Sequence, residues 1–227
     1  MHPAEPFIVT LDGPAGVGKS TLARRVAAHL NIAYLDTGAM FRTIANELGE
    51  KGLLLPAPEL EKRLASLSFS LSGIGETTSL ACNGLVAGQE IRSERMGFLA
   101  AKFAESPIVR DNLKNIQQTL GNSFSLVAEG RDMGSAVFPK APCKFFLDAK
   151  PEVRAMRRMR QIEATGEKCD FAGLVEQIRR RDAVDRARKI SPLRAAEDAH
   201  YIDTGALDVD GVFDAIIKRI PALYLSS

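Results

Sequence analysis

The octapeptide Gly13-Pro14-Ala15-Gly16-Val17-Gly18-Lys19-Ser20 satisfies G-x-x-x-x-G-K-[ST] at every required position. Glycines at these places let successive backbone N–H groups turn inward around phosphate oxygens, and an ammonium such as that of Lys19 reaches the β and γ phosphates. Ser20 carries the hydroxyl that this loop type gives to Mg²⁺, with Thr21 in support. Such a loop needs a strand before it and a helix after it. Both are legible: Phe7 to Leu11 is short and rich in β-branched residues, while Leu22, Ala23, Val26, Ala27 and Leu30 recur at helical spacing. These residues imply a nucleoside triphosphate site. Alone they do not separate a kinase from an ATPase, a GTPase or a regulatory switch.

Asp-Thr-Gly occurs twice, at Asp36-Thr37-Gly38 and Asp203-Thr204-Gly205. A pair of such triplets could supply the two carboxylates of an aspartic protease, but that fold is almost wholly β and has no use for a phosphate loop. Both triplets read better as carboxyl ends of parallel strands, where open α/β sheets gather their ligands. Arg181, Asp185 and Arg188 stand at i, i+4 and i+7, which places them on one helix face. Spacing alone describes a solvated ladder of ion pairs as well as it describes a binding site.

The elements that must hold these groups follow the same periodicities. Ile32 to Leu35 forms a second strand, with Met40, Phe41, Ile44 and Leu48 on the helix after it. Two successive β-α units indicate an α/β fold on a parallel sheet. Between Leu67 and Ile91 the period drops to two, and Asn83-Gly84 marks a hairpin in a small antiparallel insert. A helix is expected from about Met96 to Leu120, strands at Phe124 to Ala128, Lys144 to Leu147 and Tyr201-Ile202, and a closing helix from Val212 to Ile220.

At 227 residues, 45% apolar and 26% charged, the chain can build one domain with a substantial core. A net charge of +2 argues against a general polyanion binder. Positive charge is concentrated between residues 150 and 189, where 12 Lys and Arg face 7 Asp and Glu. A nucleotide-dependent RNA-binding module is the rival that this stretch raises; its interleaved acids and single aromatic, Phe171, oppose that reading. Cys82, Cys143 and Cys169 have neither zinc nor redox spacing, and Met1 to Pro6 shows no signal-peptide pattern, so a soluble cytoplasmic protein is expected.

Taken with the phosphate loop, the segments Leu35 to Arg42, Glu129-Gly130-Arg131-Asp132-Met133-Gly134 and Arg181 to Arg188 resemble bacterial cytidylate kinases, of the nucleoside monophosphate kinase family. The likeness runs from Ile8 to about Ile220. It implies a P-loop NTPase fold: a parallel sheet flanked by helices, with a small antiparallel β insert near 61–104 and an Arg-rich lid near 150–189. The single domain's core would comprise about 6–60, 105–149 and 190–227.

The resemblance further implies direct in-line transfer from ATP, with Mg²⁺, to CMP or dCMP, by a monomer without nucleic-acid or membrane partners. Another monophosphate such as UMP, or a different small molecule, is the alternative acceptor. By the same resemblance Lys19, Arg131, Arg181, Arg157 and Arg158 serve the transferring phosphoryl group. Thr37, Arg42, Arg110, Asp132, Asp185 and Arg188, together with Arg131 and Arg181, hold the acceptor. The chain departs from the family pattern at Ala101, where a serine is common, at Glu129, where aspartate is usual, and at Phe41, where tyrosine is usual.

Overall fold

The structure is a computed structural model and describes residues 5–166 and 168–225, so Met1 to Ala4 of the amino-terminal segment read above lie outside it. The chain runs β1 (Ile8–Asp12), α1 (Lys19–Leu30), β2 (Ala33–Asp36), α2 (Thr37–Leu48), α3 (Ala57–Ala65), β3 (Phe69–Ser72), β4 (Ser79–Cys82) and β5 (Leu85–Val86). It continues with α4 (Glu94–Phe103), α5 (Pro107–Ser123), β6 (Leu126–Gly130), β7 (Cys143–Asp148), α6 (Pro151–Glu163), α7 (Phe171–Ala187), β8 (His200–Asp203) and α8 (Val209–Ile217).

Five strands form a parallel sheet in the order β2-β6-β1-β7-β8. Alternation along the strands divides the core in two. Ile8, Leu35, Leu126 and Ala128 face Met40 and Ile44 of α2 and Leu113 and Leu120 of α5. Val9, Leu11, Val127, Phe145 and Leu147 face Leu22, Val26 and Leu30 of α1 and Val212 and Ile216 of α8. Strands covered on both faces need apolar residues at consecutive positions, which explains the unbroken apolar runs that announce them in the sequence.

A separate antiparallel sheet, β3-β4-β5, forms where the period-two pattern lies. Asn83 and Gly84 both take positive φ, 50° and 80°, as a tight primed hairpin turn requires. Asp36 and Asp203 end the parallel strands β2 and β8, as expected from the two triplets.

Three expectations need correction. The helix from Met96 to Leu120 is two helices, because Pro107 has no N–H to continue α4 and the preceding Ser106 is extended (φ −76°, ψ 121°). The closing helix starts at Val209 instead of Val212, capped by Asp208 Oδ1, which accepts from the Gly211 N–H at 2.8 Å. Arg188 is not on the helical face with Arg181 and Asp185: α7 stops at Ala187, and Arg188 is extended (φ −56°, ψ 133°). Its side chain nevertheless folds back onto Asp185 as an i, i+3 ion pair.

Candidate active site

The sheet register brings the carboxyl ends of its strands into line, with Asp12 opposite Gly130 and Asp36 opposite Glu129. β1 lies at the centre, and the phosphate loop leaves its end at the crevice where open α/β sheets bind ligands. Gly13, Gly16 and Gly18 all have positive φ. Gly13 also lies so close to β7 that an added Cβ would stand 2.1 Å from the Leu147 carbonyl oxygen.

The rest of the loop is held from behind. Val17 is buried, and Arg154 of α6, only 1% exposed, donates to the Ala15 carbonyl at 3.0 Å and the Ala149 carbonyl at 2.9 Å while its guanidinium grips Asp182 of α7. The carbonyl of Pro14 accepts from the Lys19 ammonium at 2.8 Å. Burial, followed by the nearby Arg131 guanidinium, pushes the Lys19 pKa down to about 7 against the pull of Glu129 and Asp12. α1 begins at Lys19 with no acidic residue in its first turn, leaving its positive end open to phosphate.

Ser20 is exposed at the helix start, and its hydroxyl bonds to Glu129 at the end of β6. Thr21 is exposed beside it. Glu129 is buried and is also gripped by the Tyr34 hydroxyl. Burial and then the Asp36 charge push the Glu129 carboxyl up, against the pull of Lys19 and these hydrogen bonds. A hydroxyl, a buried carboxylate and a phosphate cradle form a hard-oxygen donor set that suits Mg²⁺ bound mainly through nucleotide phosphates and water.

Beside this lies a second basic site. Arg131 donates from Nε to Asp185 Oδ2 at 2.9 Å, and Arg188 pairs with the same carboxylate. Arg181 lies near both. Desolvation lowers its pKa most, followed by the charges of Arg131, Arg42 and Arg188, with Asp185 opposing. Three guanidinium groups, those of Arg131, Arg181 and Arg188, thus act on one buried acid, and Arg42 lies near Arg181. Burial alone would raise the Asp185 carboxyl, but Arg131 and Arg188 outweigh it and hold it low. Lys19 feels both Arg131 and Arg181, so the triphosphate loop and the arginine cluster share a border.

The far wall is formed by Arg110 of α5, which donates to Asp132 Oδ2 at 3.0 Å and to the Ala104 carbonyl at 2.6 Å, with its guanidinium 5.7 Å from the Phe41 ring centre. Thr37 is buried and donates to the Glu129 carbonyl at 2.7 Å, joining the ends of β2 and β6.

Of the remaining two sequence candidates, Arg157 reaches the back of the phosphate loop at the Val17 carbonyl, 3.5 Å away, and Arg158 lies outside the site. Arg157 donates to the Thr204 carbonyl at 2.6 Å and its hydroxyl at 3.1 Å, bridging α6 to the segment after β8. Arg158 is exposed and pairs with Glu94 of α4 at 3.3 Å. Sequence reasoning missed Asp12, Tyr34 and the clamp made by Arg154. The partners of Asp12 and two of the partners of Arg154 are backbone groups, which leave no residue signature.

Comparison with known proteins agrees with this geometry. The family model for cytidylate kinase matches residues 9–222. The chain is 56% identical over 217 residues to the cytidylate kinase of Oleidesulfovibrio alaskensis, covering 96% of this chain and 99% of that one. It is 47% identical to the cytidylate kinase of Lawsonia intracellularis, with 96% and 97% covered, and 42% identical to that of Methylococcus capsulatus, with 94% and 96% covered. Spanning both the phosphate loop and the arginine cluster, these matches make the chain a member of the cytidylate kinase family.

Proposed function

We propose that the protein transfers the γ-phosphoryl group of ATP directly to CMP or dCMP, giving ADP and CDP or dCDP. The observation that carries this reading is the register of β1 and β6: Asp12 pairs with Gly130, so the phosphate loop and Arg131 leave adjacent strand ends side by side. Donor and acceptor phosphates bound there stand next to each other, which in-line transfer requires. The phosphoryl group passes through a loose transition state, so alignment and positive charge supply most of the catalysis.

In this reading the loop from Gly13 to Ser20 cradles the donor phosphates, and Lys19 follows the charge on the β and γ oxygens. Ser20, with Glu129 behind it, would hold Mg²⁺, which would supply further charge neutralisation. Arg42, Arg131 and Arg181 grip the acceptor phosphate, whose ionised oxygens attack without a general base. Arg110 orients Asp132, whose carboxylate accepts from the exocyclic amine of cytosine. Uracil presents a carbonyl at that place and is repelled. Asp185, fixed by Arg131 and Arg188, accepts from the ribose hydroxyls. Arg157 and Arg158 reach the transferring group only if α6 moves from the position described above.

A coupled assay of ADP release with CMP, dCMP and UMP tests this reading. Rapid turnover with CMP and dCMP, slow turnover with UMP and little hydrolysis of ATP alone are expected. Acceptor-independent hydrolysis as fast as the reaction with CMP would refute it.

A further inference from the structure

Asp12 is the last residue of β1 and stands immediately before the phosphate loop, yet its side-chain hydrogen bonds go to a different segment. Strand alternation sets it on the face of Ile8, toward the segment after β6. There its two oxygens are used separately: Oδ1 accepts from the Met133 N–H at 2.8 Å and Oδ2 from the Gly134 N–H at 2.7 Å. Met133 and Gly134 directly follow Arg131 and Asp132.

The short helical turn at Met133–Val137 opens with amide groups that have no partner inside it, and its preceding residue, Asp132, takes an irregular conformation (φ −144°, ψ 20°). The approach to β1 is close, because a Cβ on Gly134 would stand 2.9 Å from Thr10 Oγ1. The carboxylate is 3% exposed, and that burial raises its pKa to about 7. A charge so disfavoured is a poor device for stability alone.

We propose that Asp12 is a positioning residue for the acceptor: by holding the amides of Met133 and Gly134 it aims Arg131 at the acceptor phosphate and Asp132 at the base. β1 then delivers the phosphate loop from its end and fixes the acceptor loop from its last side chain, so one strand sets the distance between the two reactants. This inference rests on the reading of Arg131 and Asp132 as acceptor ligands.

The test is calorimetric titration of the full chain and its Asp12→Asn variant with CMP and, separately, with ATP and magnesium, alongside steady-state kinetics. Asparagine offers one acceptor and one donor group, so one loop amide is left facing an N–H. Loss of a charge-assisted hydrogen bond corresponds to a CMP affinity lower by about 10-fold to 100-fold. ATP affinity should change by less than about twofold, and the KM for CMP should rise more than kcat falls.

Unchanged CMP affinity in Asp12→Asn, or equal loss of CMP and ATP affinity, overturns the proposal. Arg131→Ala and Asp132→Ala separate it from the reading beneath it: if neither weakens CMP binding, the acceptor loop itself is misassigned and the proposal falls with it. If both weaken CMP binding while Asp12→Asn does not, only the role of Asp12 fails. Should Asp12→Asn not fold, hydrogen exchange in the unliganded wild-type chain decides. Met133 and Gly134 amides protected like those of β1 support the role, and exchange at open-loop rates removes it.

Discussion

The phosphate loop is itself held by a residue whose charge would ordinarily place it on the surface. Arg154, itself buried, satisfies the Ala15 and Ala149 carbonyls and pairs with Asp182. Arg154→Met preserves much of the volume but strands the Asp182 carboxylate and a loop carbonyl, so a loss of about 3–5 kcal/mol of stability by urea unfolding is expected, with weaker ATP binding. Helical spacing does not tell Arg154 from Arg157 and Arg158, because it shows neither burial nor a backbone partner. Asp12 gives a prediction about pH. Its carboxyl is raised from 3.8 to about 7 in the folded chain, so between those values the folded state keeps a proton that the unfolded state has released. The stability this group contributes is complete below about pH 3.8 and is lost as pH rises through about 7. Asp12→Asn lacks that dependence, and unfolding at pH 5 and pH 8 should show the variant gaining on wild type at the higher pH. A gap that stays constant would contradict the shifted carboxyl.

At the level of elements, what matters is where the backbone must pass, and two glycines with similar dihedral demands make the contrast. Gly13 (φ 151°) has no room, with the Leu147 carbonyl of β7 2.1 Å from any Cβ placed there. Gly13→Ala must push β7 and the phosphate loop apart, and a loss upwards of about 3 kcal/mol in stability is expected together with loss of ATP binding. Gly84 (φ 80°) also has a left-handed backbone, but nothing lies within 4 Å. Gly84→Ala should cost only about 1 kcal/mol and leave both nucleotide affinities unchanged. Comparable losses at the two positions, by urea unfolding, would mean that the close packing of the loop on β7 is not what holds it. The sequence assigned Gly13 to the phosphate loop and Gly84 to a hairpin turn, but showed at neither how close another strand comes. It showed β1, β2 and α1 well because parallel strands and their covering helices have long one-sided apolar patterns. It did not show the break between α4 and α5, where apolar residues continue at helical spacing across Ser106-Pro107 and only the proline chemistry interrupts them. Nor did it show the fold-back of Arg188, since helical periodicity says nothing about the residue after the helix stops.

For the whole molecule, a net charge of +2 hides a strong local field. Arg42 comes from α2, Arg131 from the segment after β6, Arg181 from α7 and Arg188 from just beyond it, so no single stretch of sequence announces the cluster. Folding collects three of these charges around the Asp185 carboxylate and sets Arg42 near Arg181, whose pKa is lowered first by burial and then by its arginine neighbours. An anionic acceptor relieves that repulsion, whereas an uncharged nucleoside does not. The Debye length falls from about 10 Å at 0.1 M salt to about 3 Å at 1 M, so added salt should weaken the attraction for a phosphate at this half-open site. CMP affinity measured by calorimetry is therefore expected to fall several-fold between low and high NaCl, while cytidine, lacking the phosphate, binds weakly and with little salt dependence. At a hundred times its Kd, CMP should also stabilise the fold by about 2.7 kcal/mol at low salt, an effect that shrinks at the same ligand concentration when salt is raised. If CMP and cytidine respond alike to salt, the arginines are serving the packing of α7 instead of the acceptor phosphate, and the charge that folding concentrates there has another purpose.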